Sequence, residues 1–205
     1  MRSSFLSIGL VACAVAAPLS AGHAQLTFGG FAGVNFANLD ITNLDPDEAT
    51  SSRTGFMFGG YVGKHMSRIF TVRIEGYWTR KGADLVSSGT TQGSFILDYL
   101  EFPVILRAQL PLVVVKPAIY AGPAISFKTS CNAEEASSGA SVSCDDINVT
   151  LKSTDFSGIV GAGVGIGPVI VDVQYDFSLS NILDDPNTTT EVKNETWTVR
   201  ASFGI

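Results

Sequence analysis

The chain has 205 residues, of which 45% are hydrophobic and only 16% charged, against about a quarter charged in ordinary soluble domains. The length suits one domain with a full core, but the sparse charge is too little to cover a soluble surface. A net charge of −6 with no basic stripe leaves nothing to neutralise phosphates, which excludes nucleic acid as a partner.

The first residues read as a leader. Arg2 supplies a positive start, Phe5 to Ala17 an apolar run, and Gly22-His23-Ala24 a small-residue cleavage site. Residues 1–24 are therefore expected to be a signal peptide, and residues 25–205 the mature domain beginning at Gln25. Leu10-Val11-Ala12-Cys13 also looks like a lipoprotein box, but the apolar run continues past Cys13. Export either way leaves Cys131 and Cys144 as an even pair in a polar segment, which predicts a disulfide.

Beyond the leader, apolar residues recur at every second position, the period of a strand with one greasy face. The first strand runs from Leu26 to Phe36 and the second from Gly55 to Gly63, with a polar loop from Asn38 to Arg53 between them. A third strand covers Ile69 to Lys81, with Phe70, Val72, Ile74 and Trp78 on one face and Thr71, Arg73, Glu75 and Tyr77 on the other. After a polar stretch from Gly82 to Gly93, a fourth strand spans Phe95 to Ala108, where Pro103 predicts a bulge or an irregular pairing. Gln109 to Leu112 is a turn, and the fifth strand runs from Val113 to Phe127. Lys128 to Asp155 is the longest expected loop and holds both cysteines. Phe156 to Leu179 forms a hairpin of two strands about Gly167-Pro168. Ser180 to Asn194 is a further loop, and the eighth strand closes the chain with Trp197, Val199, Ala201, Phe203 and Ile205 on its apolar side.

Eight strands joined alternately by long loops and tight turns are the pattern of an all-β, antiparallel, up-and-down transmembrane β-barrel. Its short turns and both termini belong on the periplasmic side and its long loops outside the cell. An open sheet cannot satisfy its edges in lipid, so the strands must close. A soluble barrel with the apolar face inside would present Thr, Gly and Ser to water with very few charges, a poor solvent surface.

Several stretches of the chain resemble the PorT-like outer membrane protein β-barrel family, whose members are loosely described as porin-family proteins. They are Gly30-Phe31-Ala32-Gly33-Val34-Asn35, Glu75-Gly76-Tyr77 with Lys81-Gly82, and Tyr99-Leu100-Glu101-Phe102-Pro103. Tyr120-Ala121-Gly122-Pro123, the glycine-rich stretch Gly158 to Gly167, and Asp172-Val173-Gln174-Tyr175 leading to Asn181-Ile182 complete the set. The resemblance implies residence in the outer membrane of a Gram-negative bacterium, with lipid, lipopolysaccharide and the barrel assembly machinery as partners. Some members of the family serve protein secretion or gliding. The chain departs from such barrels in ending Phe203-Gly204-Ile205 rather than in an aromatic residue.

The inward-facing charges are the most specific candidates for a site. Arg73, Glu75, Glu101, Arg107, Asp172 and Arg200 all fall on the face away from lipid, three of each sign. They read as a polar plug paired between neighbouring strands, or alternatively as a selectivity ring in a narrow porin. Gly161, Gly163 and Gly165 leave either a gap or room for Phe31, Tyr77 and Tyr120. Tyr61, Tyr77, Trp78, Tyr99, Tyr175 and Trp197 include candidates for interfacial girdles, above all the two tryptophans. A lipid-modifying enzyme would need a base beside Ser87, Ser88 or Ser137. The one mature histidine, His65, lies in a short turn on the other side of the membrane. No calcium loop, zinc site or phosphate loop has the required spacing, so no cofactor or metal is expected. The expected function is a non-enzymatic barrel that meets protein partners through its long loops.

Overall fold

The computed structural model describes residues 26–41, 48–87, 90–136, 140–147, 151–182 and 192–205. The expected leader and its cleavage point lie outside them. Strands β1 (Leu26–Ile41), β2 (Glu48–His65), β3 (Phe70–Ser87), β4 (Thr90–Gln109) and β5 (Lys116–Glu135) follow in order. A short β6 (Ser141–Ser143) and a 3₁₀ turn (Cys144–Ile147) precede β7 (Thr154–Ile166), β8 (Val169–Ser178) and β9 (Val192–Gly204). All pairings are antiparallel; β6 folds back on β5, β5 pairs onward with β7, and β9 returns to β1. Eight strands thus close a ring, with β6 as a small addition at one rim.

The register fixes the shape of the ring. A walk through directly paired residues runs Leu26, Lys64, Val72, Leu106, Ala121, Val160, Tyr175, Trp197 and Phe36. It returns to β1 at Phe36, ten residues from its start at Leu26. A shear of this size on eight strands tilts them by about 40°, and the lumen is then only wide enough for side chains.

The outer wall is apolar over a band and polar beyond it. On β1 the outward residues Leu26, Phe28, Val34 and Phe36 are exposed, and Asp40 follows. The eleven residues from Leu26 to Phe36 match the length a tilted strand needs to cross the hydrocarbon core. Trp78 lies at the loop-side border of this band, against Phe56 and Phe58, with Arg80 next along the strand. Trp197 occupies the same border on β9, against Tyr175. Both tryptophans therefore sit where an interfacial girdle belongs. Tyr61, Tyr77 and Tyr99 do not: all three are buried inside the barrel.

The strands run further than hydropathy suggests. Of the stretches expected as loops, 38–53, 82–93 and the first part of 128–155 are largely strand. Past the membrane band both faces of the wall meet polar surroundings, so the two-residue period fades while Ser- and Thr-rich chain still holds its ladder. Cys131 is consequently part of β5, opposite Leu97, and bridges to Cys144 in the 3₁₀ turn. At Pro103 the ladder to β3 skips two residues without changing register; the register shifts lie instead at Asp98/Tyr99 against β5 and at Leu85/Val86 of β3 against β4. The connections at the opposite rim are short. Ser67 Oγ accepts from the amides of Ile69 and Phe70 in one, and Gly167 takes φ +59° in the Gly167-Pro168 hairpin.

Candidate functional site

Large side chains fit into this narrow lumen because glycines stand opposite them. Tyr61 pairs with Gly29, Tyr77 with Gly59 and Tyr120 with Gly161; the rings of Tyr61 and Tyr120 lie over their glycines, and Tyr77 Cβ closes on Gly59. Asp172 stands in the same way opposite Gly163, and Arg200 opposite Gly33. A Cβ at Gly161 would fall 2.2 Å from Tyr120 Cζ, and one at Gly163 2.3 Å from Asp172 Cβ. These strand glycines are filled space, and no gap is left at Gly161 or Gly163.

Two ion triads occupy the middle of the barrel. Arg200 donates from Nε to Asp172 (2.6 Å) and from its two terminal nitrogens to Glu75 (2.7 and 3.4 Å). Tyr120 donates its hydroxyl to the same Asp172 oxygen, and the guanidinium lies between the rings of Phe31 and Tyr120. Lys81 reaches Glu101 at 2.5 Å and Asp176 at 2.6 Å. Every charged group in the two triads is buried. In the ring, β3 stands opposite β8, four places away in either direction. Glu75 and Lys81 on β3 therefore reach partners on β8 and β9 across the lumen, rather than along one wall. Excellent geometry of this kind is what offsets the large desolvation of buried ions.

The structure thus gathers Glu75, Glu101, Asp172 and Arg200 into the triads and adds Lys81 and Asp176, which the sequence reading left out. Both share the inward parity of their strands, so the two-residue period was the signal that pointed to them. Pairing between neighbouring strands holds for Asp172 with Arg200 and for Lys81's strand with Glu101's, while Arg73 and Arg107 stand outside both triads. Arg73 lies 4.1 Å from the Tyr61 ring and Arg107 5.7 Å from that of Tyr120. Neither is within ion-pair distance of a carboxylate among the described residues.

Toward the loop side the lumen becomes apolar. Leu39, Ala83, Leu97, Tyr99, Ile182 and Val192 form a buried cluster, with Ile41, Phe95, Cys131 and Leu151 against it. Only a cavity of about 160 Å³ remains among them. Asp155, just below, accepts hydrogen bonds from Ser178, Ser180 and Asn194. Leu39, Ala83, Ile182 and Val192 fall in stretches expected as loops and Leu97 and Tyr99 in an expected strand, so no periodic pattern in the sequence joins them. At the short-turn mouth, by contrast, a polar cup of about 200 Å³ opens between Thr71, Arg73, Lys116 and the Gly167-Pro168 hairpin.

The layered interior offers no hydrolytic arrangement among the described residues. His65 bonds the Thr71 hydroxyl at the short-turn mouth, and Ser88 and Ser137 lie outside the described residues. No group of His, Cys, Asp and Glu among the described residues is arranged to hold a metal ion.

Comparison with known proteins places this geometry. A family model described as "Outer membrane protein beta-barrel domain" matches residues 20–184. Among solved structures, Ail, the attachment invasion locus protein of Yersinia pestis, crystallised with the heparin analogue sucrose octasulfate, is 16% identical with a TM-score of 0.46. That alignment covers 88% of this chain and 99% of Ail. Neisserial surface protein A is 15% identical with a TM-score of 0.48, over 86% of this chain and 96% of its own. OprG from Pseudomonas aeruginosa is 11% identical with a TM-score of 0.49, over 90% and 98% respectively. No similar sequence was found among curated proteins.

Proposed function

This chain belongs to the outer membrane protein beta-barrel domain family of Gram-negative bacteria, and from that premise we propose that its barrel is a closed, non-enzymatic membrane scaffold that meets partners through its loop-side rim. The observation that carries the proposal is the pair of ion triads joining opposite walls of the lumen, sealed on the loop side by the apolar cap. A solute crossing the barrel would have to break both. Within the family, the pieces from Gly30-Phe31 to Asn181-Ile182 favour the PorT-like branch. Lipid and lipopolysaccharide around the apolar band, the assembly machinery during insertion, and proteins at the rim are the partners this reading gives it.

Liposome swelling tests the closed lumen. Vesicles carrying the refolded protein should swell in a small sugar no faster than empty ones, and swelling that scales with protein content would favour the narrow porin instead. Cleavage of the leader after Ala24 is part of the same proposal. Intact mass of the membrane form should correspond to a chain beginning at Gln25, whereas a diacylglycerol-sized addition on Cys13 would favour a lipoprotein.

A further inference from the structure

We propose that the short-turn mouth of the barrel is a binding site for a phosphate-type oxoanion, held by Arg73 and Lys116, with the buried cation of Arg107 behind them. Arg107 is 1% exposed, and its Nε and both terminal nitrogens have no hydrogen-bond acceptor among the described residues. Arg73, 6% exposed, likewise leaves its Nε without one. A guanidinium carries five donors and cannot shed its charge, so a buried one without an acceptor is strongly disfavoured unless something supplies oxygen atoms. The aromatic faces of Tyr61 and Tyr120 satisfy charge but accept no hydrogen bond in the plane of the fork.

The surrounding residues do not supply the missing acceptor. Glu75 is taken up by Arg200, and one oxygen of Asp172 is shared by Arg200 and Tyr120. The other Asp172 oxygen has no partner, yet Arg107 does not reach it. Arg107 stands directly opposite Thr71, which lines the polar cup together with Arg73 and Lys116. At about 200 Å³ the cup has room for one phosphate and part of its hydration shell, since a water takes about 30 Å³. Arg73 and Lys116 both line this cup, and a guanidinium fork with an ammonium suits a tetrahedral oxoanion, while Arg107 adds a second buried cation behind the lining. The inference goes beyond the closed scaffold and does not depend on it, because the cup lies on the short-turn side of both triads.

The test is an NMR titration of isotope-labelled, refolded full-length mature protein in an uncharged detergent, with chloride at matched ionic strength as control. Inorganic phosphate is expected to give saturable shifts at Thr71, Lys116 and the side-chain resonance of Arg73. Shifts produced by short-chain phosphatidylglycerol but not by free phosphate would assign the same site to a lipid headgroup. Arg73→Gln should weaken binding at least tenfold, and Arg53→Gln on the opposite rim should leave it unchanged. If Arg73→Gln does not fold, Lys116→Glu, half-exposed at the mouth, should lower the affinity at least tenfold in an intact barrel. No saturable shift with either ligand, or the same affinity in the variant, would overturn the proposal.

Discussion

Replacing Arg200 with alanine is the sharpest perturbation of the interior. Its guanidinium makes three hydrogen bonds to Glu75 and Asp172 and lies between Phe31 and Tyr120, fully removed from solvent. Removal leaves two buried carboxylates facing each other without a cation. Breaking a buried pair in this way costs about 3–5 kcal/mol, because the surviving charge keeps its desolvation and loses its partner. With an unfolding slope of about 2 kcal/mol/M in urea, the midpoint should fall by about 1.5–2.5 M. Equilibrium urea unfolding of the barrel in lipid vesicles, followed by tryptophan fluorescence and by gel mobility, measures this. The internal control is Arg80→Ala. That side chain is 38% exposed, and Asp98 keeps a hydrogen bond from Ser130 when it is removed, so its loss should cost clearly less than that of Arg200. The combined change Arg200→Met, Glu75→Gln and Asp172→Asn should recover most of the loss, since it removes the charges together. Equal midpoints for Arg200→Ala and Arg80→Ala would refute the view of a dry, paired interior.

Other perturbations probe the remaining layers. Gly161→Ala places a methyl group where Tyr120 now lies and should destabilise the barrel by about 1–3 kcal/mol through overpacking, read from the same urea curves. Leu97→Ala, in the apolar cap, should cost about 2–5 kcal/mol, and a cost near zero would show that the cap is not packed. Cys131→Ser opens a disulfide spanning 13 residues and should cost up to about 3 kcal/mol in the chain-entropy model while the folded gel mobility survives. Loss of the folded form in that variant would mean that the bridge supports the ladder of β5 itself.

Legibility in the sequence followed the solvent. Where one face of a strand meets lipid, Phe, Val and Leu recur at every second position, and the eight strands could be read directly. Past the band that contrast vanishes, so the upper parts of β2, β3 and β5 passed for loops, and Leu39, Leu97 and Ile182 were not recognised as a shared cap. The six charges that parity places inward are buried in the structure. Which charges meet depends on a stagger of ten residues accumulated around the whole ring, and no local pattern carries that quantity. Lys81 was overlooked for a simpler reason. It ends the stretch assigned to the third strand, where parity still applied but was not followed to its last residue. The strand glycines allow either a gap or room for bulky neighbours, and the register decides between them by placing Tyr120 over Gly161 and Asp172 against Gly163.

Single-channel recording in planar bilayers tests the closed lumen most directly. Wild-type protein, with both triads intact, should be nearly silent, and Arg200→Ala should show intermittent leak currents as water enters the vacated volume. Steady, ohmic, ion-selective conductance from the wild-type protein would contradict the account and make Glu75, Glu101, Asp172 and Arg200 the lining of a pore.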